Sequence, residues 1–128
     1  MVLQLFTTDT VIEIHEGVIN SVELQGLAKD KSLEGALGRI DHRIQYGVIR
    51  DVYDLAATYA VVIAQGHIFN DANKRTAYAC METCLSLHDI HIPFDTEEVG
   101  DLVIKVAQGH VDEDESATWL RRKKISDS

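Results

Sequence analysis

A chain of 128 residues and 14.3 kDa, 45% hydrophobic and 26% charged, has the size and composition of one folded domain, which excludes a repeat array or a two-domain enzyme. A formal charge of -9 and a pI near 5.0 argue against direct nucleic-acid binding, which needs lysine and arginine facing phosphates. Two cysteines make no disulfide framework, no apolar run approaches the roughly 20 residues of a membrane helix, and Met1–Phe6 lacks the basic and long apolar regions of a signal peptide, so a single cytoplasmic domain over 1–128 is expected.

Apolar periodicity predicts helix after helix. The first starts at Asp9 or Thr10, where Thr10 and Glu13 have capping-box spacing, and turns Val11, Ile14, Val18 and Val22 inward. The stretch Glu23–Lys31 has mixed charge, one glycine and no period, and reads as a loop or short hairpin. Ser32 caps a second helix with Leu33, Leu37, Ile40 and Ile44 inside, ending by Gly47. A third, Asp51–Gln65, is nearly apolar all round along Ala56–Ala64, as expected at the centre of a bundle, and Gly66 ends it. The fourth carries Ala77, Met81, Cys84 and Leu87 or their neighbours inward up to His88-Asp89, and Ile90–Ile92 alternates like a short strand or extended link before Pro93. Thr96 caps a fifth helix closed by Gly109, and Glu115–Lys124 forms a sixth around Trp119 and Leu120. The expected fold is all-α, a compact bundle of about six helices with room for one short β-hairpin or flap. Seven acidic groups against Lys105 alone in 96–118 read as a solvated acidic loop, and Arg121–Lys124 as a basic helix end.

The chemistry is concentrated in Gly66–Thr76, which sets a histidine, a carboxylate, an amide and two cations between two apolar helices. A helix start offers free N–H groups and a positive dipole end, a seat for phosphate oxygens. Asn73, Lys74 and Arg75 fall there, and two cations opposing the dipole make sense if an anion is bound. His67 can act as a base near neutral pH, and Asp71 can hold Mg2+, which takes one or two carboxylates plus phosphate oxygens. The set suits phosphoryl or nucleotidyl transfer. Taken singly, each residue has a plainer use: His67 capping or packing, Asp71 or Asn73 as N-cap, Lys74 and Arg75 solvated. Phe69 is an apolar anchor in either case. With no G-x-x-x-x-G-K-[ST] and no G-x-G-x-x-G, a P-loop or Rossmann site is excluded.

His67–Arg75 resembles the H-x-F-x-[DN]-[AG]-N-K-R signature of the death-on-curing (Doc) branch of the Fic family, matching every specified position. The wider Fic pattern H-P-F-x-x-G-N-G-R is broken by Ile68, Ala72 and Lys74. Similarity extends, diffusely, from the His15 helix to Ala117–Arg121.

The resemblance implies a Fic-like helical fold and a toxin of a toxin–antitoxin pair. Such a protein kinase transfers the γ-phosphate of ATP, with Mg2+, to a threonine hydroxyl of translation elongation factor Tu and blocks translation. His67 would be the base, Asp71 the metal ligand, and Asn73, Lys74 and Arg75 the phosphate clamp, with His67, Asp71 and Lys74 the catalytic set. Asn70 and Ala72 would shape the loop. A long cation at Lys74 in place of glycine would turn the nucleotide round, so that its γ-phosphate faces His67. Glu23–Lys31 would correspond to the flap that docks the target as an added strand. The Fic inhibitory pattern [ST]-x-x-x-E-[GN] is absent, since Ile12 and Asp30 precede Glu16-Gly17 and Glu34-Gly35. Restraint would then come from a Phd-like, DNA-binding antitoxin whose disordered tail folds onto an apolar groove. Two other readings stay open: an AMP transferase of the same fold, and a non-catalytic antitoxin-binding protein.

Cys80, Cys84 and His88 share a helix face, but ends about 12 Å apart cannot ligate one zinc. The cysteines are expected in the core, as are Tyr46, Tyr53, Tyr59 and Tyr78, and His15, His42, His91 and His110 at surface or capping positions.

Overall fold

A computed structural model describes residues 2–127, with side chains through Ile125. It contains α1 (Thr8–Val18), α2 (Leu33–Gln45), α3 (Val52–Gly66), α4 (Asn73–Leu87), α5 (Thr96–Ala107) and α6 (Glu113–Asp127). Among the described residues the β-pairing is one isolated antiparallel bridge, Leu27 to Phe69. The fold is all-helical, as the sequence leads one to expect.

The apolar circumference of α3 places it at the centre, packed against α2, α4, α5 and α6, with every residue from Asp54 to Ala64 buried. Leu55 and Ile63 are fully enclosed, each worth about 1.5–3 kcal/mol of transfer free energy. Ala56, Ala57, Ala60 and Ala64 keep its surface low enough for neighbouring helices to approach closely, so a larger side chain such as Leu at Ala57 would cost about 1–3 kcal/mol of overpacking. Helices α1, α2 and α5 are amphipathic, and Val11, Ile40, Met81, Leu85, Val106 and Leu120 complete one continuous core.

Helix starts follow side-chain caps. Ser32 accepts from Gly35 N, Asp51 from Asp54 N, and Asp112 with Glu115 forms a reciprocal capping box. Three expected starts are corrected. The cap of α1 is Thr7, whose hydroxyl accepts from Thr10 N; Thr10 bonds Thr7 and lies inside the helix, and Val22 lies beyond its end, 93% exposed. Asp95, not Thr96, caps α5. The sixth helix begins two residues before Glu115 because its cap is Asp112. Leu85 takes the buried place that Leu87 was one candidate for, Ile90–Ile92 is an extended link, and Tyr46 is exposed whereas Tyr59 is core.

One polar staple crosses the core edge. The Asp54 carboxylate, 4% exposed, accepts from Arg50 Nε at 2.9 Å and from Arg121 Nη2 at 2.9 Å, and Arg121 also reaches Asp51, joining the start of α3 to α6. Burial alone would push the Asp54 carboxyl up, but the donors on Arg50 and Arg121 outweigh it and hold it below the usual carboxylate range. Within the terminal basic run Arg121 serves this staple, and at the surface Lys123 pairs with Glu98 and lies over Trp119. No described helix is long and apolar enough to cross a membrane.

Candidate active site

The site is built where α3 gives way to α4. At Gly66 a Cβ would stand 3.0 Å from Ile68 Cδ1, so any larger residue would press on the end of the Ile68 side chain. The chain then reverses through His67, which takes a left-handed conformation at φ 48° and leaves its imidazole exposed. Ile68 and Phe69 plunge into the core, 2% exposed each, and anchor the loop as apolar residues should. The Asn73 side chain folds back on Phe69, accepting from its N–H at 3.0 Å and donating to its carbonyl at 2.8 Å.

A second support comes from the 23–28 segment between α1 and α2. Ala28 N donates to Ile68 O at 2.8 Å, Asn70 N to Gly26 O at 3.1 Å, and Asn70 Nδ2 to Gln25 O at 2.9 Å. Gly26 sits at φ 83°, the turn that brings this strip alongside the loop. Leu24 N donates to Asp71 Oδ2 at 3.0 Å. Glu23 reaches furthest: its carboxylate pairs with the Arg75 guanidinium, which also donates to Val18 O at 2.9 Å. Arg75 holds the Glu23 carboxyl below its usual range.

The start of α4 departs from the pattern of the other helices. Its N-cap, Ala72, is left-handed at φ 64° and supplies no side-chain acceptor, and the first turn carries Lys74 and Arg75 with no acidic residue. The opening N–H groups and the dipole end are therefore not answered by a carboxylate or hydroxyl cap, the condition under which an anion is welcome. These groups face a pocket of about 320 Å3 lined by His67, Asp71, Asn73, Lys74 and Arg75 together with Glu23, Ala64, Asn70, Ala72 and Ala107. All five residues singled out in the sequence thus border one cavity. Beyond Lys74 and Arg75 lies a second pocket of about 350 Å3, mostly apolar, walled by Tyr78, Val99, Gly100, Val103 and Ile104. The polar cavity at the start of α4 therefore adjoins an apolar one.

Within the cavity the residues differ in freedom. His67 and Lys74 have no side-chain hydrogen bond or ion pair among the described residues, whereas Asn73 is committed to Phe69 and Arg75 to Glu23 and Val18. Glu23 and His15 are the site residues the sequence did not single out for chemistry. Expected at a surface or cap, His15 is 2% exposed, stacked on Phe69 with its Nε2 on the Asp71 carbonyl. No sequence signal joins residues more than 50 positions apart. Cys80 and Cys84 are core residues whose thiols burial pushes up to about 12, and His88 uses its ring nitrogens on Cys84 O and Gln4 N.

The sequence was compared with known proteins. The Fic/DOC family model matches residues 5–85, which includes α1, the flap-like strip, α3, the loop and nearly all of α4. The chain is also 36% identical over 115 residues to the protein kinase Doc of Escherichia phage P1, covering 89% of this chain and 90% of that one. Matched from α1 through the loop and most of α4, and along nearly the full length of a relative, this chain belongs to the Fic/Doc family.

Proposed function

We propose that this protein is the toxin of a toxin–antitoxin pair and acts as a protein kinase, moving the γ-phosphate of ATP to a threonine hydroxyl of elongation factor Tu. The observation that carries the reading is the uncapped start of α4, with Lys74 and Arg75 in its first turn, opening on the cavity that His67 and Asp71 border. The similarity to a protein kinase of phage P1 supports it.

In this reading the triphosphate lies against the first N–H groups of α4, with Lys74 and Arg75 neutralising its oxygens and the base in the apolar pocket beside Tyr78. Asn73 contributes by fixing the turn that aims those N–H groups. The threonine Oγ attacks the γ-phosphorus, the bond from γ-phosphorus to the bridging oxygen breaks, ADP leaves, and His67 takes the hydroxyl proton. Asp71 suits a magnesium ion held jointly with phosphate oxygens: Leu24 N occupies Oδ2, and Oδ1 has no hydrogen-bond partner among the described residues. Such an ion supplies charge neutralisation on the phosphates. The Glu23–Lys31 strip, with Leu24 68% and Leu27 46% exposed, is suited to receive a target segment in extended form. Restraint is assigned to a Phd-like antitoxin chain.

Growth of cells expressing the wild type and His67→Ala tests this. The kinase reading predicts arrest by the wild type and normal growth with a folded His67→Ala protein. Arrest by both would favour a toxin that acts by binding.

A further inference from the structure

We infer that His15 is a positioning residue for the reaction, holding the Asp71–Ala72 peptide in the orientation that presents the Asp71 carboxylate and the first N–H groups of α4 to the cavity. The inference rests on the reading of Asp71 as the magnesium-holding carboxylate. Its geometry is independent of that reading.

His15 lies in the last turn of α1 and is 2% exposed, a polar ring in an otherwise apolar setting. Two contacts account for it. Its ring lies 3.8 Å from the Phe69 ring at an interplanar angle of 6°, and its Nε2 is 2.9 Å from the Asp71 carbonyl oxygen. A carbonyl only accepts, so Nε2 carries the hydrogen and donates. That carbonyl belongs to the peptide whose nitrogen is Ala72 N. The bond therefore fixes one side of the rotation that puts Ala72 at φ 64°.

A left-handed alanine costs about 1–2 kcal/mol and persists only where its surroundings hold it. The Asn73 clamp on Phe69 holds the segment from one side and Leu24 N holds the Asp71 side chain from another. His15 supplies the hold from beneath, on the peptide between them. If that peptide rotates, the Asp71 carboxylate and the α4 N–H groups turn with it, although no ligand atom has been touched. Histidine fits because it joins a flat ring for Phe69 to a hydrogen-bond donor for the carbonyl. Phenylalanine keeps the first feature, and glutamine the second.

The experiment compares the wild type, His15→Phe, His15→Gln and Asp71→Asn. For each, the rate of phosphate transfer from ATP is titrated with Mg2+, and amide spectra of 15N-labelled protein are recorded. The expected result for His15→Phe is a folded protein with a displaced Ala72 amide resonance. Its kcat falls, or its Mg2+ half-saturation rises, by about 10- to 100-fold, as is usual when a group orienting a metal ligand is lost. The KM for ATP changes less, because Lys74 and Arg75 are untouched, and His15→Gln recovers most of the loss. An unmoved Ala72 amide with unchanged Mg2+ dependence in His15→Phe would overturn the inference. An Asp71→Asn variant with wild-type Mg2+ dependence would instead sink the reading of Asp71, while the Ala72 resonance still reports on His15. Should the His15 variants not fold, the wild type decides by ring-nitrogen spectroscopy: a proton on Nε2 is expected, and a neutral ring protonated on Nδ1 alone would refute the inference.

Discussion

Replacing Asn73 by alanine separates a residue that builds the loop from one that touches the ligand. The side chain makes two hydrogen bonds to the Phe69 main chain, at 3.0 and 2.8 Å, and Phe69 is 2% exposed, so little water can replace them. Leaving a buried main-chain donor or acceptor unmade costs about 1–3 kcal/mol each. Alanine's better helix propensity returns at most about 0.7 kcal/mol. A net loss of about 2–4 kcal/mol follows, and with a urea m-value of about 2 kcal/mol/M, the middle of the range for small proteins, the unfolding midpoint should fall by about 1–2 M. Urea titration followed by circular dichroism measures it, with ATP binding followed in parallel by calorimetry. Both stability and affinity should drop together. If the midpoint stays put while ATP affinity collapses, Asn73 acts on the nucleotide directly and the clamp on Phe69 is incidental.

Three further outcomes are expected. Ala72→Gly relieves a left-handed alanine at φ 64° against glycine's greater unfolded-state entropy, for a net gain of about 0.5–1 kcal/mol and a Tm rise of about 2–5 °C; a lower Tm would show the turn unstrained. Glu23→Gln removes the carboxylate that occupies Arg75 in the cavity, so the Kd for ATP with Mg2+ should fall about two- to fivefold, whereas weaker binding would mean that Glu23 serves to place Arg75. The Asp54 carboxyl is held below its ordinary value of 3.8 in the folded state, so its stabilisation is present above that pH and is lost as pH falls through the lower folded value; Asp54→Asn should flatten the acid limb of a stability–pH curve, and an unchanged limb would contradict the assignment.

The parts of this molecule that sequence makes legible are those that depend on near neighbours. The bounds of α3 follow from Asp51 and Gly66, and the six-helix bundle follows from periodicity. Local ambiguity explains the misplaced starts: Thr7 and Thr10 are both hydroxyl residues, and only the extended backbone at Thr7 makes it the cap. The five motif residues were visible as types, and their convergence on one cavity is what a contiguous loop ensures. What sequence does not carry is how each is engaged. Glu23 meets Arg75 across 52 positions and His15 meets Asp71 across 56, contacts set by how α1 and the strip after it pack on the loop. Likewise, the closing of the Asn73 amide on Phe69 cannot be read from its type. Arg121 reads as one cation of a basic helix end, and it is a strut on Asp51 and Asp54.

The central claim is that a triphosphate sits at the start of α4 with its terminal phosphorus toward His67. Incubating the purified protein with elongation factor Tu, Mg2+ and ATP labelled at either the α- or the γ-phosphorus tests this directly. Label on a threonine of the target from γ-labelled ATP alone, with ADP released, is the predicted result. Label retained from the α position, with pyrophosphate released, would contradict it and establish AMP transfer instead.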